Sequence, residues 1–260
     1  MRVATFNLLH GLALDDGSVR ADALRAAART LDVDLLALQE VDLGQERSGG
    51  VDQTALVAEE LGARSFCFAP AVLGTPGDAW TAATSAAGEA VTGPAYGIGL
   101  VSRLPVRRWW LRRFPPARLP MPLLVPDRPR PRLMVVEDEP RVALAALVDG
   151  PHGPFTVVGT HLSFVPGVNL RQLRSVARWV ARMPAPVLLL GDLNLPGRLP
   201  SLATGWRELG GGATYPSFSP RVQFDHVLAH GLPPGVGHHA EVLRLPVSDH
   251  CAMRVWLETD

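Results

Sequence analysis

Residues Val187 to Gly197 read VLLLGDLNLPG: four apolar residues, a glycine, Asp192, a leucine, Asn194, another leucine and a Pro-Gly turn. A short apolar run bounded by turn residues reads as a buried strand. This one finishes on a carboxylate and a carboxamide two positions apart. Side chains at i and i+2 of an extended chain point the same way, so Asp192 and Asn194 are expected to reach one ligand together. Strand ends are where ligand sites gather in α/β sheets.

Similar runs lie on both sides: Val3–Phe6, Leu35–Leu38, Ile98–Ser102, Val142–Val148, Phe155–Thr160, Phe224–Leu228 and Ala252–Leu257. Helical patterns interleave with them. Arg20–Leu31 is alanine-rich with arginines on its polar face, Gln53–Leu61 stops at Gly62, and Leu170–Met183 carries Leu170, Leu173, Val176, Ala177 and Val180 on one stripe. Strands and helices mixed throughout predict an α/β protein. With no repeat and no clear linker, residues 1–260 read as a single domain.

The composition narrows the function. Hydrophobic residues make up 47% of the 260, enough for a sizeable core. Acidic and basic residues balance at 25 each, which argues against coating nucleic acid by bulk charge. All the basic residues are arginine, so lysine chemistry is excluded. Cys67 and Cys251 lie far apart with no CxxC, against a disulfide framework or a cysteine zinc site; both read as buried hydrophobes. The start, MRVATFNLLHG, reads as a first strand rather than a signal peptide, and no apolar run has membrane-span length. The expectation is a soluble, cytoplasmic monomer without membrane insertion.

The chemically capable residues cluster at the ends of runs. Asn7 follows the first, Glu40 the second and His161 the fifth; Asp192 and Asn194 follow Val187–Leu190. Asp225 sits early in QFDHVL, and Asp249 and His250 lie in the turn before the last strand. Singly, each has an ordinary explanation: a turn contact, a surface acid, a core histidine, a cap or a salt link. Together they are hard to account for by packing.

At these residues the sequence resembles the endonuclease/exonuclease/phosphatase superfamily, the DNase I-like metal-dependent phosphohydrolases. The matching pieces are TFN (Asn7), LQE (Glu40), YGIGLVSRLPV (Tyr96 to Val106), EPRVAL (Glu139 to Leu144), GTHL (His161), GDLN (Asp192, Asn194), FDHV (Asp225) and SDH (Asp249, His250), in family order along nearly the whole chain. ERSGGVDQ (Glu46 to Gln53) is similar to bacterial members.

The resemblance implies a four-layer α/β sandwich, two packed mixed sheets flanked by helices, with the site at one edge. It implies Glu40 as principal Mg²⁺ ligand with Asn7 beside it and Asp249 adding a second carboxylate. Asp192 would orient or deprotonate the attacking water, and Asn194 would hold the phosphate or that water. His250, oriented by Asp225, would contact the scissile phosphate; His161 would stabilise charge on the phosphoryl oxygens. Arg141 is a further phosphate contact, and Glu139 a weaker carry-over. The chemistry agrees: an anionic ester needs its charge neutralised and a water aimed in line. An oxygen-rich donor set with few carboxylates suits Mg²⁺ or Mn²⁺ better than zinc.

Three functions follow: a phosphodiesterase or endonuclease-like hydrolase, a phosphatase for a small phosphorylated metabolite or lipid head group, and a non-catalytic binding module that keeps the fold. The substrate is a phosphate ester, either nucleic acid or a small phosphorylated molecule. Arg107–Arg132, dense in proline and arginine with Trp109 and Trp110, cannot be a regular helix or a central strand; it reads as an irregular excursion or a substrate-facing loop. Pro70–Pro94 reads as a long connection. There is no GxSxG elbow, and GIGLVS lacks the third glycine of a dinucleotide fingerprint. His238 and His239 are adjacent on an extended run, so they point apart and do not share an ion. His10 and His226 read as packing or solvent-facing residues.

Overall fold

A computed structural model of the protein describes residues 1–118, 120–125 and 132–258. The chain runs β1 (Arg2–Asn7), α1 (Ala21–Leu31), β2 (Leu35–Leu43), α2 (Gln53–Leu61), β3 (Ser65–Gly74), β4 (Trp80–Ala82), β5 (Ala95–Ser102) and β6 (Val106–Phe114). It continues with β7 (Met121–Val125), β8 (Arg132–Val136), β9 (Arg141–Gly150), β10 (Gly153–His161), α3 (Val168–Val180), β11 (Val187–Asp192) and α4 (Leu199–Thr204). The last elements are β12 (Arg207–Glu208), β13 (Asp225–His230), β14 (His238–Leu243) and β15 (Ala252–Leu257).

Two mixed sheets result. One has seven strands in the order β14-β15-β1-β2-β5-β3-β4, the other six in the order β12-β13-β11-β10-β9-β6, and β7 and β8 pair only with each other. The continuous apolar runs have a physical cause, because the central strands are covered on both faces. In β2, Leu35 and Ala37 face the opposite sheet, while Leu36 and Leu38 meet Leu24, Ala27 and Leu31 of α1 and Val57 of α2. In β11, Leu188 and Leu190 join the inter-sheet core, whereas Val187 and Leu189 pack under Leu173 and Val176 of α3. The four layers are therefore helices, sheet, sheet and helices.

Two connections are more ordered than the sequence suggests. Pro70–Gly74 completes β3, with Pro70 at a register shift against β5, where a missing ladder donor is tolerated. The arginine-rich stretch begins as β6, the edge strand of the six-stranded sheet. The prolines that argued against regular structure start only at Pro115, so they end this strand rather than prevent it. Residues 119 and 126–131 of that stretch lie outside the described residues. Both cysteines are buried and free, and no helix among the described residues is long and apolar enough to cross a membrane.

Candidate functional site

The alternation of the strands places the polar residues. Val3 in β1, Val157 in β10, Leu188 and Leu190 in β11, and Val227 in β13 all face between the sheets. Counting by twos, Asn7, His161, Asp192 and Asp225 fall on that same face. β1 and β2 are parallel, as are β10 and β11, so Asn7, Glu40, His161 and Asp192 lie at matching ends; antiparallel β13 and β15 bring Asp225 and His250 to the same end. The inter-sheet core thus becomes polar at one edge. Gly191 lets β10 and β11 close there, since a Cβ on it would stand 2.0 Å from the Thr160 carbonyl oxygen. A separate cavity of about 530 Å³, lined by Met1, Phe155, Pro186 and Leu257, lies at the opposite strand ends and contains none of these groups.

Glu40 breaks the alternation. By parity it belongs with Leu36 and Leu38 under the helices. A β-bulge between Leu38 and Val41 sets two residues of β2 against one of β5, and Glu40 takes φ of 53°. Val41 then resumes contact with the helix layer, and Glu40 is free to turn into the site, where its Oε1 accepts from Asn7 Nδ2 at 2.9 Å. Apart from Asp32 at the end of α1, the described non-glycine residues with positive φ are Leu9, His10, Glu40, Asn194 and Ser248, all within three residues of these polar groups. Strain of this kind costs about 1–3 kcal/mol per residue and persists where packing over-determines it.

Direct contacts tie the set together. Asn7 Nδ2 donates to Asp192 Oδ2 at 3.1 Å as well as to Glu40, while its Oδ1 accepts from Leu9 N at 3.0 Å. Asn7 therefore presents an N–H₂ group, bridging the two acids. His250 Nδ1 lies 2.8 Å from Asp225 Oδ2, and its Nε2 faces Asp192 Oδ2 at 3.7 Å. Ser248 Oγ donates to the Asn7 carbonyl at 2.6 Å and accepts from His250 N at 3.0 Å, pinning the SDH turn to the end of β1. Asn194 does not continue the strand. It adopts φ of 49°, donates its backbone N–H to Asp192 Oδ1, and sets its amide 3.2 Å from His161 Nε2. Asp192 and Asn194 converge through a turn, not through strand parity.

His161 is held from behind. Arg141 Nη1 is 3.1 Å from its Nδ1 and Arg141 Nη2 is 3.4 Å from Asp138 Oδ1. Asp138 also accepts from Ser163 Oγ and Ala117 N, both at 2.8 Å. A guanidinium can only donate, so Nδ1 accepts from Arg141, while Nε2 stands 3.2 Å from the Asn194 amide nitrogen and 3.6 Å from Asp192 Oδ2. Burial, Arg141 and His250 all hold the His161 pKa well below the usual histidine value.

The other charges are also displaced. Burial pushes Asp192 up to about 7, against the pull of His250. Burial and the nearby Glu40 raise Asp249 to about 6, against the same histidine. Burial works against the His250 cation, but Asp225, Asp192 and Asp249 outweigh it and raise the ring to about 10.

The donor set fits a divalent cation. Asp249 Oδ1 is buried with no hydrogen-bond partner, beside the charge of Glu40. Asp192, Asp225 and His250 also bring ligand-capable atoms within 4.8 Å of one another. In that trio Asp225 Oδ2 is taken by His250, Asp192 accepts from Asn7 and from Asn194 N, and Asp225 Oδ1, like Asp249 Oδ1, is buried without a partner.

Each sequence-predicted residue reaches this edge, although Arg141 stands behind His161 rather than in the open. Sequence reasoning missed Asp138, Ser163, Ser248 as a clamp, and Tyr215, whose ring lies 4.8 Å from that of His250. Of these only Ser248 had a signal, its place in SDH. His226 is buried, with its ring nitrogens 2.9 Å from Glu208 Oε2 and from the Leu195 carbonyl. His238 and His239 part as expected, one beside Arg207 and the other stacked on Trp256.

A family model described as "Endonuclease/Exonuclease/phosphatase family" matches residues 4–250. Among solved structures, an endonuclease/exonuclease/phosphatase from Beutenbergia cavernae DSM 12333 is 22% identical, with a TM-score of 0.66 over 99% of this chain and 71% of that one. A mannosyl-6-phosphatase of Bacteroides thetaiotaomicron VPI-5482 is 14% identical, with a TM-score of 0.62 and full coverage of both chains. A humanized D. rerio TDP2 is 14% identical, with a TM-score of 0.56 over 100% of this chain and 99% of that one. These likenesses show a shared DNase I-like sandwich. No curated protein matches the chain.

Proposed function

The chain belongs to the endonuclease/exonuclease/phosphatase family, and we propose that it is a metal-dependent phosphoric-ester hydrolase acting on phosphodiesters. One observation carries the reading: the Asp225–His250 pair faces Asp192 across a gap of 3.7 Å, with an unpartnered buried oxygen on Asp249 and the Glu40 charge beside it.

Glu40 and Asp249 would hold Mg²⁺ or Mn²⁺, with Asn7 fixing the Glu40 carboxylate. Such a cation supplies Lewis-acid neutralisation of the phosphate charge. The chain does the rest. Asp192, poised near neutrality, orients a water and takes its proton as oxygen attacks phosphorus. The ester oxygen leaves on the opposite side. His250, kept cationic by Asp225, donates from Nε2 to a phosphoryl oxygen. His161, neutral with its proton on Nε2, and the Asn194 amide donate to the same anion from the other sheet.

The test compares bis-p-nitrophenyl phosphate with p-nitrophenyl phosphate, each with Mg²⁺, with chelator, and with Asp192→Ala. The reading expects Mg²⁺-dependent release from the diester that chelator and Asp192→Ala abolish. Monoester turnover alone would move the protein to the phosphatases, the activity named for the Bacteroides relative. Inertness toward both, and toward nucleic acid, inositol phosphates and sphingomyelin, would favour a binding module. Turnover in chelator would refute the mechanism.

A further inference from the structure

The acids Glu137, Asp138 and Glu139 lie between β8 and β9, where a connection normally keeps carboxylates in water. Glu137 is exposed, but Asp138 is buried, with a side chain 0% accessible. Burying a carboxylate is costly unless it is paired and hydrogen-bonded. Asp138 meets that condition on both oxygens. Its Oδ2 accepts from Ser163 Oγ and from Ala117 N, each at 2.8 Å, and its Oδ1 stands 3.4 Å from Arg141 Nη2. The partners come from the segment after β6, the first residue of β9 and the segment after β10, so one buried carboxylate fastens three segments at the site edge.

Arg141 carries this anchorage into the site. It is buried, and its Nε has no hydrogen-bond partner among the described residues, so the guanidinium is held through Nη1 and Nη2. Nη2 faces Asp138, and Nη1 is 3.1 Å from His161 Nδ1. Ser163 is fixed in turn: its N–H donates to Gln172 Oε1 of α3 at 2.8 Å, and its Oγ accepts from Val165 N at 3.1 Å. The Asp138 carboxylate therefore rests on a seat tied to α3, and the His161 ring rests on that carboxylate through the guanidinium.

The two site histidines are thus backed in opposite ways. Asp225 touches His250 directly, whereas an arginine stands between His161 and its acid. A carboxylate set directly on His161 would favour the imidazolium, and a lone guanidinium there would be an uncompensated buried charge. Asp138 compensates the guanidinium and reaches the ring only through it. We propose that Asp138 is a positioning residue for the hydrolysis, acting through Arg141 to hold the His161 ring against Asp192 and Asn194. The role rests on the reading of His161 as a phosphoryl contact, and its first readout needs no turnover.

The test is Asp138→Asn, which keeps the shape and one oxygen acceptor but removes the charge facing Arg141. Imidazole nitrogen-15 resonances of the full, metal-free chain, with those of His161 assigned by their loss in His161→Gln, should move for His161 and stay for His250. With bis-p-nitrophenyl phosphate and Mg²⁺, kcat should fall about tenfold or more while KM changes less, because a contact displaced by about 1 Å loses its aim. Arg141→Gln should cost at least as much, and the double variant no more than Arg141→Gln alone, since Asp138 acts through that guanidinium. Thermal melting establishes that each variant is folded. If Asp138→Asn unfolds, Ser163→Ala, which removes one hydrogen bond from Oδ2, takes its place with the same expectations at smaller size. Unmoved His161 resonances, a wild-type kcat in the folded variant, or losses that add in the double variant would overturn the proposal. A wild type inert toward the diester would end the hydrolytic reading on which the role rests, and the resonances separate that failure from a failure of the Asp138 contact.

Discussion

The 2.8 Å hydrogen bond between His250 Nδ1 and Asp225 Oδ2 joins the two sheets. Asp225 opens β13 in the six-stranded sheet, and His250 precedes β15 in the seven-stranded one. The pair exists only when the sandwich is closed, so the proposed chemistry and the packing of the two sheets depend on each other.

Asp225→Asn keeps the shape and removes the charge that sustains the His250 cation. If the proposed role is right, kcat for the diester falls by about 10²-fold or more, in the range of acid–base contributions. KM changes less, because binding groups remain. Steady-state kinetics beside an unchanged circular dichroism spectrum would check this, and a wild-type kcat would remove His250 from the mechanism.

The pH dependence of stability has a definite sign. Asp192 and Asp249 are raised to about 7 and about 6 in the folded, metal-free chain, so each contributes stability fully at pH below about 4, the unfolded value, and loses it as pH rises through the folded one. A cation held by Glu40 and Asp249 displaces the Asp249 proton and favours ionised Asp192. The rise in Tm on adding Mg²⁺ should therefore grow from pH 5 to pH 8, and Glu40→Gln should remove most of it. Scanning fluorimetry in Mg²⁺ and in chelator measures both, and a flat Mg²⁺ response across that range contradicts the assignment.

His161 should resist protonation. Burial and Arg141 hold its pKa well below the ordinary value, and the guanidinium donates to Nδ1. Nitrogen-15 imidazole shifts of the metal-free protein should report a neutral Nε2–H ring at pH 6, where a free histidine is mostly cationic. Arg141→Gln should return the titration toward the usual range. A cationic ring in the wild type would disprove the neutral role given to His161.

Gly191→Ala should destabilise the fold, because its Cβ would sit 2.0 Å from the Thr160 carbonyl oxygen and the neighbour is backbone. Overpacking of this kind costs about 1–3 kcal/mol. Denaturant titration checks the size, and a neutral result would show that β10 and β11 can part at the site edge.

Much of the site could be read before folding. Asn7, His161, Asp192 and Asp225 stand in or beside apolar runs on the parity that faces between the sheets, so a strand pattern already aims them together. The SDH turn has its place before the last strand. The stretch Val187–Asp192 also announced a buried strand, while the four-layer sandwich came only from the family resemblance.

Glu40 was legible as a residue but not as a direction. Parity assigns it to the helix layer, and only the bulge at Leu38–Val41, with the positive φ that it imposes, turns the carboxylate inward. Asp138 and Tyr215 carry no local signal, because their roles come from neighbours 25 and 35 residues away. β6 was hidden by prolines that begin one residue after it ends. Sequence alone determined the central apolar strands and, where no bulge intervenes, which face each of their side chains takes, since alternation is a property of the chain. Closure of the two sheets decided which groups meet, where a strand bulges and which protons are held, because distance and burial are set by what packs opposite.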